Sequence, residues 1–262
     1  MDKELVIFVP SESAAYNVLT ALETLDDDGS IELYGSTVVA RAADGRLDIK
    51  DSRGRRGAWG TALGTGLGAL VGLLGGPAGV VVGAAVGASF GAVSDLTYTG
   101  FPGDFVYDVS NTLANGSFAV IASVWEDWMT PVDVAVAPYG ATVLRQSTDD
   151  ISAAQIAAED QALKNEWSSF EAEVASAKGD AKVKLEAHRD NLRAKQQAAR
   201  AKMRARATAM QDSWKAKIAS IEDKAKRAKA GAQTRHQLHR DKLAKFAAEQ
   251  KTSFDELFSK TQ

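Results

Sequence analysis

The strongest constraint on this chain is a run without charge. From Ala58 to Ser94 there is no Asp, Glu, Lys or Arg, and Gly60, Gly64, Gly68 and Gly72 recur at every fourth position. After Gly75-Gly76-Pro77 the same spacing returns in Gly79, Gly83, Gly87 and Gly91. Residues four apart on a helix lie one above the other, so each half would carry a ridge without side chains along which another backbone can approach closely. The spacing therefore predicts a hairpin of two helices over 57–94. In water each such glycine costs about 0.8–1 kcal/mol relative to alanine. Something other than helix propensity must hold these limbs. A bilayer does so, because an unpaired backbone group in hydrocarbon costs several kcal/mol. Each limb is about 17 residues, or roughly 25 Å, short for a ~30 Å hydrocarbon layer, so the hairpin spans tightly or dips. The alternative is burial inside a large soluble core, cage or filament.

The flanks of the run fit an interface. Arg53, Arg55 and Arg56 precede it, Trp59 opens it, and Tyr98 and Phe101 follow it. Basic residues mark the cytoplasmic side and aromatic residues the headgroup level, so both ends of the hairpin are expected on one side of the membrane.

Charge divides the chain. Up to Asp150 there are 8 Lys/Arg against 19 Asp/Glu, and beyond it 23 against 15. An acidic front is joined to a basic tail. There is no cysteine, hence no disulfide, no thiolate nucleophile and no cysteine-ligated zinc. Met1-Asp2-Lys3-Glu4 lacks a basic leader and a cleavage site, so no secretory signal is expected.

Around the hairpin the front reads as alternating strands and helices. Leu5 to Val9 is a short apolar run. Pro10-Ser11 opens a helix with Ala14, Val18, Ala21, Leu22 and Leu25 on one face. Asp26-Asp27-Asp28-Gly29 ends it as a solvated loop, without the alternating spacing of a calcium loop. Ile31 to Arg41 and Leu47 to Lys50 form strands around Asp44-Gly45 turn chemistry. After the run come a helix over Phe101 to Leu113, a strand over Phe118 to Trp125, and a small appendix. The appendix is a helix from Thr130-Pro131 through Val134 and a strand over Ala141 to Arg145. Without the hairpin this is the ferredoxin-like split βαβ pattern. The expected fold is α+β: a ferredoxin-like unit over 1–56 and 95–148, the glycine-zipper hairpin over 57–94, and a helical tail over 149–262.

Leu5-Val6-Ile7-Phe8-Val9, the glycine-rich run closing in Ser94-Asp95, Phe118-Ala119-Val120-Ile121 and Tyr139-Gly140-Ala141-Thr142-Val143-Leu144-Arg145 resemble a bacterial membrane-protein family, domain of unknown function 1269. The resemblance covers residues 1 to about 148. It implies membrane association and brings no catalytic residues.

The tail is rich in alanine, contains no proline and opens on the capping sequence Ser147-Thr148-Asp149-Asp150. Its apolar seam, through Leu163, Trp167, Phe170, Val174, Met203, Trp214, Ile221, Leu243 and Phe254, steps by about 3.6 residues, which excludes a long left-handed heptad zipper. A nearly straight amphipathic helix of up to ~165 Å is expected, with Gly179 and Gly231 as the places to kink or fold back. Between Lys178 and Lys245, 20 basic residues face 7 acidic ones. Acidic surfaces of neighbouring subunits, an anionic polymer such as nucleic acid or polyphosphate, or anionic lipid would each answer that excess.

No active site is evident. His188, His236 and His239 lie on the tail without a convincing third ligand, and read as exposed or seam-facing. Gly64-x-Gly66-x-Gly68 lies in mid-helix and not at a strand-to-helix turn, so it is packing and not a dinucleotide fingerprint. Asp104 with Asp108, and Glu126 with Asp127, read as surface acidity. No catalytic, cofactor or metal residues are expected and no small-molecule substrate. The expected protein is a non-enzymatic scaffold at the cytoplasmic face of a bacterial inner membrane, with lipid and copies of itself as partners.

Overall fold

The computed structural model describes residues 2–54, 70, 101, 103–147 and 149–259. The glycine ridges and Arg55, Arg56, Trp59 and Tyr98 lie outside the described residues. Among the described residues no helix is long and apolar enough to cross a membrane.

Five strands, β1 (Asp2–Val9), β2 (Glu32–Arg41), β3 (Leu47–Gly54), β4 (Phe118–Trp125) and β5 (Thr142–Ser147), form one antiparallel sheet in the order β3-β2-β4-β1-β5. Helix α1 (Glu12–Asp27) starts on Ser11, whose Oγ accepts from the Ala14 N–H at 3.2 Å. It buries Ala14, Ala15, Val18, Leu19 and Leu22 against Leu5, Ile7, Val38, Val120 and Val124 of the sheet. Helix α3 (Thr130–Val136), with proline in its first turn, adds Val132 and Val136 to the same cluster.

The mixed α+β class is as expected, but the supposed appendix is an integral half of the unit, with β5 as an edge strand beside β1. The ferredoxin-like order requires two βαβ halves with helices on one face, and β1-α1-β2 and β4-α3-β5 supply them. Strand β3 and α2 (Gly103–Thr112) belong to an insertion. Helix α2 lies on the opposite face, where Phe105, Val109 and Leu113 pack with Val6, Phe8, Val39, Leu47, Ala119 and Ile121. Leu70, from within the glycine-rich run, is fully buried in this second cluster.

The tail is helical, as expected, but it is not a straight rod. It is divided into α4 (Asp149–Ser176), α5 (Asp180–Arg227) and α6 (Ala230–Ser259). The first break is at Gly179, whose φ of +57° a side chain would strain. The second is at Ala228-Lys229, just before Gly231. Folding back lets each seam bury against the next helix: Gln196 Nε2 donates to the Leu163 carbonyl at 3.0 Å, and Trp214 meets Phe246 edge-on at 5.6 Å.

Two compact units result, Met1–Ile151 with Asp212–Ala247, and Ser152–Gln211 with Ala248–Gln262. In the second, acidic α4 runs beside the strongly basic first part of α5. Arg206 pairs with Glu159 at 3.0 Å, and the Arg193 guanidinium lies 5.6 Å from the Trp167 ring centre. In the first, the stretch 212–247 forms a helical strap on the α/β unit.

Candidate functional site

The strap meets one end of the sheet. There β1 and β2 begin and β4 ends, since Trp125 pairs in register with both Asp2 and Glu32. Chain ends of this kind gather acids: Asp2, Asp26 at the end of α1, Glu32, and Glu126 and Asp127 just after β4. On the strap, Lys217, Lys224, His236, His239 and Lys242 recur at helical spacing and face them.

Glu32 is the centre, with a fully buried side chain. Its Oε1 lies 2.5 Å from His236 Nδ1 and 3.3 Å from His239 Nδ1, and its Oε2 accepts from Lys224 Nζ at 3.3 Å. Burial alone would push this carboxyl up. Hydrogen bonds from the two histidines and the charge of Lys224 outweigh it and hold the carboxyl at about 2, against an ordinary 4.5. Lys224 also pairs with Asp26 and donates to the Leu33 carbonyl at 3.1 Å. Asp26 in turn accepts from the Leu33 N–H at 2.7 Å. For Asp26 burial prevails over Lys224 and the carboxyl is raised.

On the far side, His239 Nε2 lies 3.5 Å from Asp127 Oδ2, which also accepts from Lys242 at 2.6 Å. Burial would raise the Asp127 carboxyl, but Lys242, and after it His239, lower it. Lys217 pairs with buried Asp2 and sits 4.6 Å over the ring of buried Tyr34. Glu126 is buried between Lys3 at 3.0 Å and Arg145 at 2.8 Å.

At the end of α1, Gly29 has φ +75°, and a Cβ there would stand 3.0 Å from Arg235 Cβ and 3.1 Å from the Ala232 carbonyl. The residue is glycine both for its backbone conformation and because the strap passes directly over it. Arg235 Nε donates to the Asp28 carbonyl at 2.6 Å beside it.

Three sequence readings are overturned here. Glu126 is not surface acidity but the buried partner of Lys3 and Arg145, whereas Asp127 is exposed, as expected, and pairs there with Lys242. His236 and His239 are neither exposed nor merely on an apolar seam; they are 1% and 4% exposed and hydrogen-bonded to a carboxylate. The Asp26–Asp28 triad is not a solvated loop throughout, since Asp26 is tied to Lys224 and Leu33. Glu32 and Lys224 were not singled out by the sequence; the signal for them was the excess of acid before residue 150 and of base after it.

Of the expected membrane-interface residues, Arg53 is exposed on edge strand β3, paired with Glu23 at 3.0 Å and Asp51 at 2.9 Å. Phe101 stacks on Phe105 at 5.7 Å and packs against the second core cluster. The structure does not bring these two together with the acid–base cluster. His188 is exposed on α5, and Asp104 and Asp108 are exposed on α2. Among the described residues no group of three or more His, Cys, Asp or Glu has the arrangement to hold a metal ion.

Fold and site together define a ferredoxin-like α+β protein in which the helical strap 212–247 is held by charge onto one end of the sheet. Residues 59–161 match the model of the family described as protein of unknown function (DUF1269), the family the sequence resembles. The matched stretch starts at the glycine-rich run and ends within α4. No curated protein and no solved structure matches the chain.

Proposed function

We propose that the protein is a non-enzymatic scaffold of the bacterial inner membrane, anchored from the cytoplasmic face by the hairpin over 57–94 and assembled into homo-oligomers through its glycine ridges. The observation that carries this reading is the uncharged run with glycine at every fourth position. The sheet supports it. Gly54, which ends β3, pairs with Gly35 near the start of β2, so the segment leaves from the end of the sheet carrying Glu32. The chain returns at Phe101 into α2, whose last turn lies near Arg41 at the opposite end, with the Ser110 carbonyl 3.5 Å from Arg41 Nη1. Helix α2 therefore begins toward the end from which the run departed. Two termini on one side suit insertion from one face of a bilayer. The cluster around Glu32 adds support for a structural role, since the Glu32 side chain is fully buried and Lys224, His236 and His239 answer it.

A membrane tether with an anionic polymer on its basic helices is the less favoured use. Arg206, Lys217, Lys224 and Lys242 are held by carboxylates of the same chain. Leu70 favours a second reading, a soluble assembly in which the run lies against the α/β unit, because this residue is buried in the second core cluster.

Resistance of the membrane-bound chain to carbonate extraction supports insertion, and release by carbonate supports the second reading. Gly68→Leu with Gly87→Leu should break the detergent-extracted particle into smaller species by light scattering. An unchanged particle size rules out assembly through the ridges.

A further inference from the structure

The loop between β4 and α3 holds out two apolar side chains. Among the described residues, Trp128 and Met129 are the one adjacent pair of large apolar side chains left exposed, at 69% and 54%, in a chain that buries Trp125 and Trp214. The loop that carries them is pinned. Glu126 before them is buried between Lys3 and Arg145, Pro131 after them opens α3, and Arg145 Nη2 donates to the Met129 carbonyl at 3.4 Å. The neighbouring acids are met by bases, Asp127 by Lys242 and Asp133 by Arg145, both at 2.6 Å. An indole and a thioether thus project from a fixed backbone, beside acids already paired.

Their place in the sheet says what they face. Gly54, Gly35 and Ser123 stand in one row across β3, β2 and β4. The uncharged run therefore leaves the sheet two strands away from β4, or about 10 Å, close to the end of that strand at Trp125. Trp128 stands three residues beyond. Helix α2, into which the chain returns, begins toward the same end. A run anchored in a bilayer brings this end of the sheet to the headgroups, and the loop with it. The opposite end, with the Asp44-Gly45 turn, lies about 25 Å off, the length of an eight-residue strand.

We propose that Trp128 and Met129 form a second membrane contact: the loop between β4 and α3 lays the indole and the thioether at the boundary of headgroups and acyl chains, beside the point where the run enters. The contact rests on the membrane anchoring proposed above. An indole suits that level because its ring is apolar while its N–H finds water and phosphate oxygens there. Two attachments, the run and the loop, fix the tilt of the α/β unit on the bilayer, where the run alone leaves it free to swivel.

The chain has no cysteine, so a nitroxide can be placed at single sites. Met129→Cys, Leu73→Cys in the run and Ala43→Cys, exposed at the far end of the sheet, are labelled in the full chain and reconstituted into vesicles of equal parts phosphatidylcholine and phosphatidylglycerol. Collision with oxygen, which concentrates in lipid, is compared with collision with a water-soluble nickel chelate. Oxygen should dominate at Leu73 and Met129, with the Met129 label about 5 Å below the phosphates, and the chelate should dominate at Ala43. Trp128→Ser, at an exposed position, should return the Met129 label to water and leave the Leu73 label in lipid. A Met129 label open to the chelate while the Leu73 label is in lipid overturns the contact alone, and both labels open to it overturn the anchoring as well. Low access to both reagents at Met129, with dipolar broadening between labels, means that a second copy covers the pair and overturns the lipid contact. A Met129 label unmoved by Trp128→Ser overturns the part given to the indole.

Discussion

Replacing Glu32 with Gln tests whether the buried acid–base cluster holds the fold or only decorates it. The substitution keeps size and hydrogen-bonding ability and removes one charge. In the folded chain the carboxyl is held at about 2 against an ordinary 4.5. That difference makes the ionised form about 3 kcal/mol more favourable in the fold than in the unfolded chain at neutral pH. A folded value below the unfolded one gives stability that is present above about pH 4.5 and lost as pH falls toward 2. Removing one partner of a buried set also leaves the others uncompensated, and such changes cost about 3–5 kcal/mol. Glu32→Gln should therefore lower the unfolding free energy by about 3 kcal/mol at pH 7 in urea titrations. At about pH 2.5 the gap between the variant and the wild type should shrink to about 1 kcal/mol. Asp26 works in the opposite sense, since its raised carboxyl relieves strain as acid is added. The Glu32 charge is one of the causes that raise it, so the difference between the two chains reports the coupled pair. A loss under about 1 kcal/mol at pH 7, or a gap that persists undiminished in acid, would refute the reasoning.

Three further outcomes follow from the same geometry. Gly29→Ala and Gly116→Ala both place a side chain at positive φ, +75° and +83°, but only Gly29 faces the strap. Both should lose about 1 kcal/mol in urea melts, and Gly29→Ala should lose more, with exchange in 230–238 raised. Lys217→Met should cost about 3 kcal/mol, and a double-mutant cycle with Asp2→Asn should give a coupling above about 1 kcal/mol. Trp214→Ala removes a side chain 2% exposed and set edge-on to Phe246, and should cost about 3–5 kcal/mol by the same titration.

What the sequence made legible is what local chemistry determines. The apolar run Leu5 to Val9, Ser11 at the helix start and the Asp44-Gly45 turn placed β1, α1, β2 and β3 to within a few residues. Gly179 marked one fold-back because a left-handed residue is needed there. The second, at Ala228-Lys229, falls in a run of good helix formers and has only Gly231 nearby as a signal. Non-local pairing was hidden. Strand β5 looked peripheral because nothing in Thr142–Ser147 announces that it pairs with β1, at the other end of the α/β unit's sequence. The histidines looked unpartnered because their carboxylate lies 204 residues away from His236. Only the opposite charges of front and tail carried that information, and a charge balance gives no addresses.

The topology makes one further outcome testable. Where β2 ends, Arg41 N donates to the Ser117 carbonyl at 3.0 Å and Gly116 N donates to the Arg41 carbonyl at 2.6 Å, so β2 and β4 already meet as the two arms of a hairpin do. Residues 42–116 are thus inserted at a turn, and the four strands β2, β4, β1 and β5 need nothing from them for pairing. What the insertion supplies is cover. Leu47, Leu70, Phe105, Val109 and Leu113 shield Val6, Phe8, Val39, Ala119 and Ile121 on the second face. Replacing 42–116 with Asn-Gly, the turn that suits a two-residue hairpin, should leave the α1–α3 face packed but expose that apolar surface. The shortened chain should keep native-like far-ultraviolet circular dichroism, bind a hydrophobic dye and self-associate. Adding Val6→Thr and Ile121→Thr should restore solubility without restoring the insertion, because the partners of both side chains have gone. A shortened chain that is unfolded both with and without the threonines would show that the insertion builds the sheet and does not merely cover it.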